Sequence, residues 1–398
     1  MTTTPAARAR RRRLVPEPPL QGRYDGMILS LLRRNGTMSR SAISLTTGLS
    51  ATTVTKAVAP LIEQGFVRES GAAGGARVGR PAIGIRLVPA AATVCGVQVG
   101  VGFVRAGLVD AGAHVVRTVE FDVDPALPAT EALTRIAERV QAELIEPAGD
   151  VLAVGVAVPG VVAADHRTND LSINLGWREV PVADVVERVC GVPAAVDHNV
   201  RAMALAENRF GVGASNLAFV YASTGVGLGL VLHDAPFDGG RHGVSELGHI
   251  HVVADGERCS CGARGCLETV ASEPALARQL AALDVESEPG VPSLITLERL
   301  AGTDDRVAAV RTRLIDSLST GIASVVNLFS PDVVVFGGPF PEAPASFLDT
   351  LYQVAREQVF SLIRYELRIV PTSFGADAGI VGAASVALEE YFYGVGAA

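Results

Sequence analysis

The sequence predicts an α/β protein with a winged helix-turn-helix head and a two-lobed body, and three observations carry that prediction. Charge splits along the chain. Residues 1–90 hold 13 Arg and one Lys against four acids, a net +10, while residues 91–398 hold 20 Arg against 38 acids, a net −18. The hydrophobic pattern changes near Thr93, from helical stripes to apolar strands punctuated by glycine. Finally, Cys259-Ser260-Cys261-Gly262-Ala263-Arg264-Gly265-Cys266 gathers three of the five cysteines, starting ten residues after His249.

Residues 1–20 read as a basic, disordered tail. Arg8 and Arg10 to Arg13 are followed by Pro16, Glu17, Pro18 and Pro19, where a signal peptide needs an apolar run. No window reaches ~18 uninterrupted apolar residues, so no membrane span is expected. Reduced thiols without an export signal point to the cytoplasm.

The head is expected over 21–90. Met27, Ile28, Leu31 and Leu32 form a helical stripe within 24–35, closed by Gly36. Ser39 suits the N-cap of a second helix containing Ile43 and Leu45. Thr47-Gly48-Leu49-Ser50 is a tight turn, and Ser50 caps a third helix that buries Val54, Val58, Leu61 and Ile62. Its first turns present Ala51, Thr52, Thr53, Thr55 and Lys56, small hydroxyls and a cation suited to base edges and phosphates in a major groove. Phe66-Val67-Arg68-Glu69 reads as a strand, and a Gly/Ala-rich loop leads to a second strand through Ile83, Ile85 and Leu87. This hairpin is the wing, with Arg77 and Arg80 at its tip to enter a minor groove or grip phosphates. The candidate DNA contacts are therefore Ser50, Ala51, Thr52, Thr53, Thr55, Lys56, Arg77 and Arg80. A three-helix protein-interaction module is the rival; the basic charge favours DNA.

The acidic body is expected as a first lobe over 91–212, completed by a C-terminal helix over 378–398, and a second lobe over 213–377. Cys95 to Phe103 and Val104 to Asp110 read as a hairpin, and Leu152 to Val158 as a strand ending at Pro159-Gly160. Leu217 to Tyr221 turns at Ser223-Thr224-Gly225-Val226-Gly227 and returns through Leu228 to Leu232. Val333 to Phe336 ends at Gly337-Gly338. Helices are expected over Glu131–Ile145 and Arg311–Asn327. Two strand-glycine-strand units about 120 residues apart imply two related lobes around a cleft, although a lone glycine turn is weak support for phosphate binding.

His249, Cys259, Cys261 and Cys266 supply one imidazole and three thiolates, a full tetrahedral shell for Zn2+. Four protein ligands leave no open position, so the expected zinc is structural. Cys95 and Cys190, far apart in the sequence, read as buried thiols. Glu246 and Glu268 flank the cluster and mark a place for a small polar ligand.

Together these features resemble the ROK family (repressors, uncharacterised frames and sugar kinases), whose fold is the two-lobed, actin-like ATPase (ribonuclease H-like) fold. The resemblance covers roughly residues 22–395. It rests on Glu246-Leu247-Gly248-His249, the Cys259/Cys261/Cys266-Leu267-Glu268 run, Ile173-Asn174-Leu175-Gly176-Trp177, Ala204-Leu205-Ala206-Glu207, Gly337-Gly338 and Ala378-Gly379-Ile380-Val381-Gly382-Ala383-Ala384. The head implies one of the family's transcriptional regulators. By resemblance, Asn174, Asn199, Glu246, His249 and Glu268 would build a sugar pocket. The family's kinases begin the body with Asp-x-Gly-Gly-Thr and place an Asn-Asp pair before a helix. Here the matching positions carry Gln98-Val99-Gly100-Val101-Gly102 and His198-Asn199. An amide cannot act as the general base, a role worth ~10²–10⁴-fold. The implied protein is a sugar-responsive repressor of carbohydrate genes that has lost phosphoryl transfer. Its implied partners are operator DNA, a sugar or sugar derivative, and further copies of itself in a homodimer or homotetramer. An ATP-dependent sugar kinase with an accessory DNA-binding head is the alternative.

Overall fold

The computed structural model describes residues 20, 22–72, 83–239 and 245–394. Residues 1–19 of the expected tail and the wing arginines Arg77 and Arg80 lie outside them. The head opens with α1 (Asp25–Asn35), β1 (Met38–Ser39), α2 (Arg40–Thr47) and α3 (Ala51–Glu63), followed by β2 (Val67–Ala72) and β3 (Ile83–Leu87). Both caps form: the Ala42 amide donates to Ser39 Oγ and the Thr53 amide to Ser50 Oγ, each at 3.1 Å. Ile28, Leu29, Leu32, Ile43, Val54, Val58 and Leu61 are buried in the head. Leu45 is 87% exposed, because residues two apart on a helix face different ways. Met27 and Ile62 flank the buried stripe instead of joining it. The unforeseen strand β1 pairs with β3, so the wing is a three-stranded sheet in the order β1-β3-β2.

The body contains two sheets of one design. In the first, β4 (Thr93–Val99), β5 (Phe103–Asp110) and β6 (Val115–Asp122) form an antiparallel meander. Next, α4 (Ala129–Val140) runs on through a π-helical turn, Gln141–Ile145, into α5 (Glu146–Ala148). Then β7 (Val154–Val158) pairs parallel with β4. A small sheet of β8 (Val161–Val162), β9 (Asn169–Ser172) and β10 (Trp177–Val180) precedes α6 (Val182–Cys190). Finally β11 (Ala194–His198) pairs parallel with β7 and feeds α7 (Asn199–Phe210). The order is β11-β7-β4-β5-β6.

The second sheet repeats this. A meander of β12 (Leu217–Ala222), β13 (Val226–Leu232) and β14 (Ala235–Pro236) comes first, and α8 (Glu268–Ala271), α9 (Glu273–Ala281), α10 (Ser293–Leu300) and α11 (Asp305–Phe329) follow. The parallel strand β15 (Val333–Gly337), α12 (Ala345–Gln358) and β16 (Ile369–Pro371) complete the order β14-β13-β12-β15-β16. Among the described residues no helix is long and apolar enough to cross a membrane.

The last helix, α13 (Ala378–Tyr391), leaves the second sheet and packs on β4, β7 and α7. Glycine permits this. A Cβ at Gly96 or Gly155 would run into the carbonyls of Ile380 and Ala383. Beyond α13, Phe392 meets Phe66 of the head edge-to-face at 5.2 Å, and the Tyr393 hydroxyl donates to the Ala111 carbonyl. Head residues such as Ile28 and Leu61 therefore share one apolar core with Val94, Leu388 and Phe392. Beyond the short connection around Pro89, the head is packed onto the first lobe. Cys95 and Cys190 lie buried together in the first lobe's core, and burial pushes the Cys190 thiol up to about 12. Placing a methyl group at Gly155 must push α13 off the sheet. Gly155→Ala should cost about 1–3 kcal/mol, read as a lower urea midpoint at unchanged slope.

Candidate functional site

His249, Cys259, Cys261 and Cys266 each turn one donor atom inward, and the four lie within 4.8 Å of one another. Cys259 Sγ is 3.5 Å from His249 Nδ1, and Cys261 Sγ is 3.7 Å from Cys266 Sγ. A tetrahedron with ~2.3 Å metal–sulfur arms has edges of about 3.8 Å, so these donors fit a divalent metal. The local chain is shaped for it. Gly262 and Gly265 have φ of 95° and 69°, and a Cβ at Gly265 would strike the Val253 carbonyl. The Cys259 amide donates to the Ala263 carbonyl at 2.8 Å, closing the loop. His251 Nδ1, unforeseen in the sequence, sits 2.9 Å from the Arg264 carbonyl and braces the same loop. Hydrogen bonding from the Ala263 amide lowers the Cys261 thiol, while burial and its sulfur neighbours push Cys266 up to about 12. Three thiolates this close repel one another, and a bound cation relieves that repulsion.

With Nδ1 toward the sulfurs, His249 Nε2 faces Glu246, 3.9 Å away. Both line a cavity of about 170 Å³ in the cleft, together with Asn174, Asn199 and Glu268. The structure thus brings all five sequence-predicted ligand residues to one place from four separate segments, Glu246 and His249 sharing one. Glu268 starts α8, and the Val226 amide donates to its Oε2 at 3.3 Å. Gly225 makes room here, since a Cβ would lie 2.7 Å from that same oxygen. Asn199 opens α7, with its Oδ1 accepting the Val200 amide at 2.8 Å. His198 also lines the wall; desolvation, then Arg201, lowers its imidazole to about 4, so it is neutral near pH 7. Asp197 is not in the wall. Its carboxylate accepts Arg201 Nε at 2.6 Å, and Arg201 Nη1 reaches Asp238 at 2.9 Å. The turn Ser223–Gly227 lines this cavity, a role its glycines alone did not specify.

Residues 94–390 match the ROK family, and residues 23–68 match a winged helix-turn-helix DNA-binding family. The chain belongs to the ROK family. The xylose repressor of Caldicellulosiruptor bescii is 26% identical over 385 residues, covering 92% of this chain and 95% of that protein. The glucokinase of Thermotoga maritima is 28% identical, covering 74% of this chain and 96% of that protein. The crystal structure of a ROK family transcriptional regulator, a homolog of the E. coli Mlc protein, superposes with a TM-score of 0.79 at 26% identity, covering 93% of this chain and 96% of that one.

Against the ROK kinase pattern, a second cavity of about 560 Å³ adjoins the first, and Tyr221 and Ser223 line both. Gln98 is buried against Gly379. The Phe103 ring packs on Gly100 in the turn between β4 and β5. Arg105, also in this wall, is engaged by Glu120 at 3.3 Å, by Asp377 at 3.8 Å and by the Ala376 carbonyl. On the head, Ala51, Thr52, Thr55 and Lys56 are exposed along α3. Thr53 is half-buried, its hydroxyl 2.8 Å from Ser50 Oγ, and the Thr55 hydroxyl donates to the Ala51 carbonyl at 2.9 Å. Both hydroxyls are already engaged locally, while Thr52 and Lys56, among the described residues, stand exposed on the same face.

The metal fit predicts that anaerobic titration will take up about one zinc per chain, as expected of a closed four-ligand site. Cys261→Ser should lose most of that metal and melt at a lower temperature, because structural metal binding is coupled to folding. Full loading of Cys261→Ser would remove Cys261 from the shell.

Proposed function

We propose that this chain is a sugar-responsive, DNA-binding transcriptional regulator, a repressor of carbohydrate metabolism or transport genes, whose body senses sugar without phosphorylating it. The carrying observation is a five-residue polar cavity joined through one shared core to a winged head, with amides at 98 and 199 where kinases need carboxylates. On this reading the chain divides into a tail (1–20), a head (21–90), a first lobe (91–212 with 378–398) and a second lobe (213–377). It works in the cytoplasm as a homodimer or homotetramer on operator DNA. The zinc is structural: it fixes His249 and the strand-loop before Glu268, so that His249 Nε2 and the two carboxylates hold their places at the sugar.

Cavity size and charge refine the ligand. About 170 Å³ is below the ~300–1,000 Å³ of sites for drug-sized molecules, which suits a single sugar ring. Glu246 and Glu268 accept hydrogen bonds from adjacent hydroxyls, and Asn174 and Asn199 both donate and accept. Among the described residues the wall carries no Arg or Lys. Two carboxylates would repel a phosphate ester, so the effector is an unphosphorylated monosaccharide. The adjoining cavity favours the kinase alternative, and turnover separates the two readings.

D-xylose, D-glucose and N-acetyl-D-glucosamine should be screened by thermal shift, since a ligand of the native state raises Tm by mass action. One should raise it, its 6- or 5-phosphate should not, and Glu268→Ala should abolish the shift. Coupled ADP release with the same sugars should stay at background; turnover lost in Asn199→Ala would establish the kinase.

DNA binding provides a separate check. Lys56→Ala should weaken binding to a selected palindromic site and reduce the slope of log affinity against log salt by about one. An unchanged slope would take Lys56 off the phosphates. Half-sites should lie one DNA turn, ~34 Å, apart.

A further inference from the structure

The head touches both lobes, and the two contacts differ in kind. Toward the first lobe, Arg33 of α1 is nearly buried. It pairs with Glu389 of α13 at 2.6 Å, and its guanidinium lies over the Tyr393 ring at 4.4 Å and the Phe210 ring at 4.9 Å. Toward the second lobe, the neighbouring Arg34 pairs with Asp234 at 2.7 Å, and both side chains are open to solvent, at 58% and 34%. Asp234 sits in the tight turn between β13 and β14. That turn places two consecutive non-glycine residues, His233 and Asp234, at φ of 55° and 63°. A two-residue hairpin takes such left-handed backbone at both central positions, and its surroundings fix where the turn sits.

The surroundings here are the C-terminal end of α7. Asn208 Nδ2 donates to Asp234 Oδ1 at 3.1 Å, and Arg209 Nη1 donates to the Asp234 carbonyl at 2.9 Å. Arg209 also holds Glu389, the partner of Arg33, at 2.9 Å. The other end of α7 is Asn199, in the wall of the sugar cavity. One 12-residue helix, ~18 Å long at 1.5 Å per residue, thus runs from the cavity to the point where head, first lobe and second lobe meet.

We propose that Arg34 and Asp234 are the positioning pair through which the second lobe reports sugar binding to the DNA-binding head. The inference rests on the sugar-sensor reading above. The first lobe holds the head firmly through buried groups. The second lobe holds it by an exposed ion pair, which a small rotation of the lobes about α7 lengthens at little cost. A sugar that prefers one lobe arrangement then selects one orientation of the head. Arg34 touches neither cavity, so its loss leaves sugar binding intact.

The test uses the full-length protein, an operator selected from random DNA by the native chain, and whichever of the three sugars shifts its Tm. Operator affinity is measured with and without saturating sugar. For the native chain we expect a ratio of about tenfold, within the 5–150-fold usual for coupled sites. Arg34→Ala removes the cation. Asp234→Asn removes the charge but keeps a residue tolerant of left-handed backbone. Both should retain the native sugar-induced Tm shift, while their operator ratios fall to about twofold or less. Arg34→Lys, which keeps the charge, should retain most of the ratio. Native ratios in Arg34→Ala and Asp234→Asn would overturn the pair's role, as would loss of the sugar shift itself in both. A native protein that binds sugar but has equal operator affinity in the two states would instead overturn the sensor reading beneath it.

Discussion

The close approach of α13 to the first sheet is the contact on which the rest of the structure depends. It needs bare Cα atoms at Gly96 and Gly155 so that the carbonyls of Ile380 and Ala383 can lie against the strands. Gly382 does the same on the other side, where a Cβ would meet the Ala202–Met203 backbone of α7 at 2.9 Å. Through this one helix the chain's last residues close the first lobe, seat α7 and deliver Phe392 and Tyr393 into the head. Dispersion and burial both scale with such contact, and the seam between head and body is one continuous buried cluster. A DNA-binding module joined this way cannot swing freely on a linker; it turns only as the body allows.

The ligand cleft follows a different logic, in which charge is placed and then held. His249 is shared: Nδ1 points to the sulfurs and Nε2 to Glu246 in the cavity. Fixing one nitrogen fixes the other, because the ring is rigid and its tautomer is set by what Nδ1 meets. Nearby, Arg201 is committed to Asp197 and Asp238 and takes no part in the cavity wall. That removes both the one carboxylate and the one arginine of the segment from ligand chemistry. Asn199, His198 and the two glutamates remain, a hydrogen-bonding surface suited to hydroxyls.

Much of this was legible in the sequence, and what was legible shares a cause. Caps at Ser39 and Ser50, the helical stripe Ile28/Leu32, the strands ending at Pro159 and Gly337, and the cysteine spacing are all local patterns, written within about ten residues. The five cavity residues were gathered by family resemblance, and distance along the chain hid how they meet. The burial of Arg33, the Phe66–Phe392 contact and the proximity of Cys95 to Cys190 join segments 95 to over 300 residues apart. No local period encodes them. The packing of the head on the body shows the same limit, since Phe392 and Tyr393, which make it, lie at the far end of the chain. Leu45 shows a smaller limit, since apolar character alone did not say which face of α2 it occupies.

A regulator of this design must keep some contacts and release others. The apolar seam at Phe392 and the buried Arg33–Glu389–Arg209 cluster belong to the kept set, because breaking a buried pair strands a charge and costs about 3–5 kcal/mol. An exposed pair such as Arg34–Asp234 is worth only ~0–1 kcal/mol, comparable to the ~1.4 kcal/mol that separates tenfold-different affinities. A monosaccharide making a handful of hydrogen bonds, each contributing ~0.5–1.5 kcal/mol net, supplies that difference far more readily than it breaks the buried set. The strengths of the contacts therefore sort them. Sugar energy reaches the head through the exposed turn at Asp234, while the core beneath keeps the head docked on the first lobe in either arrangement.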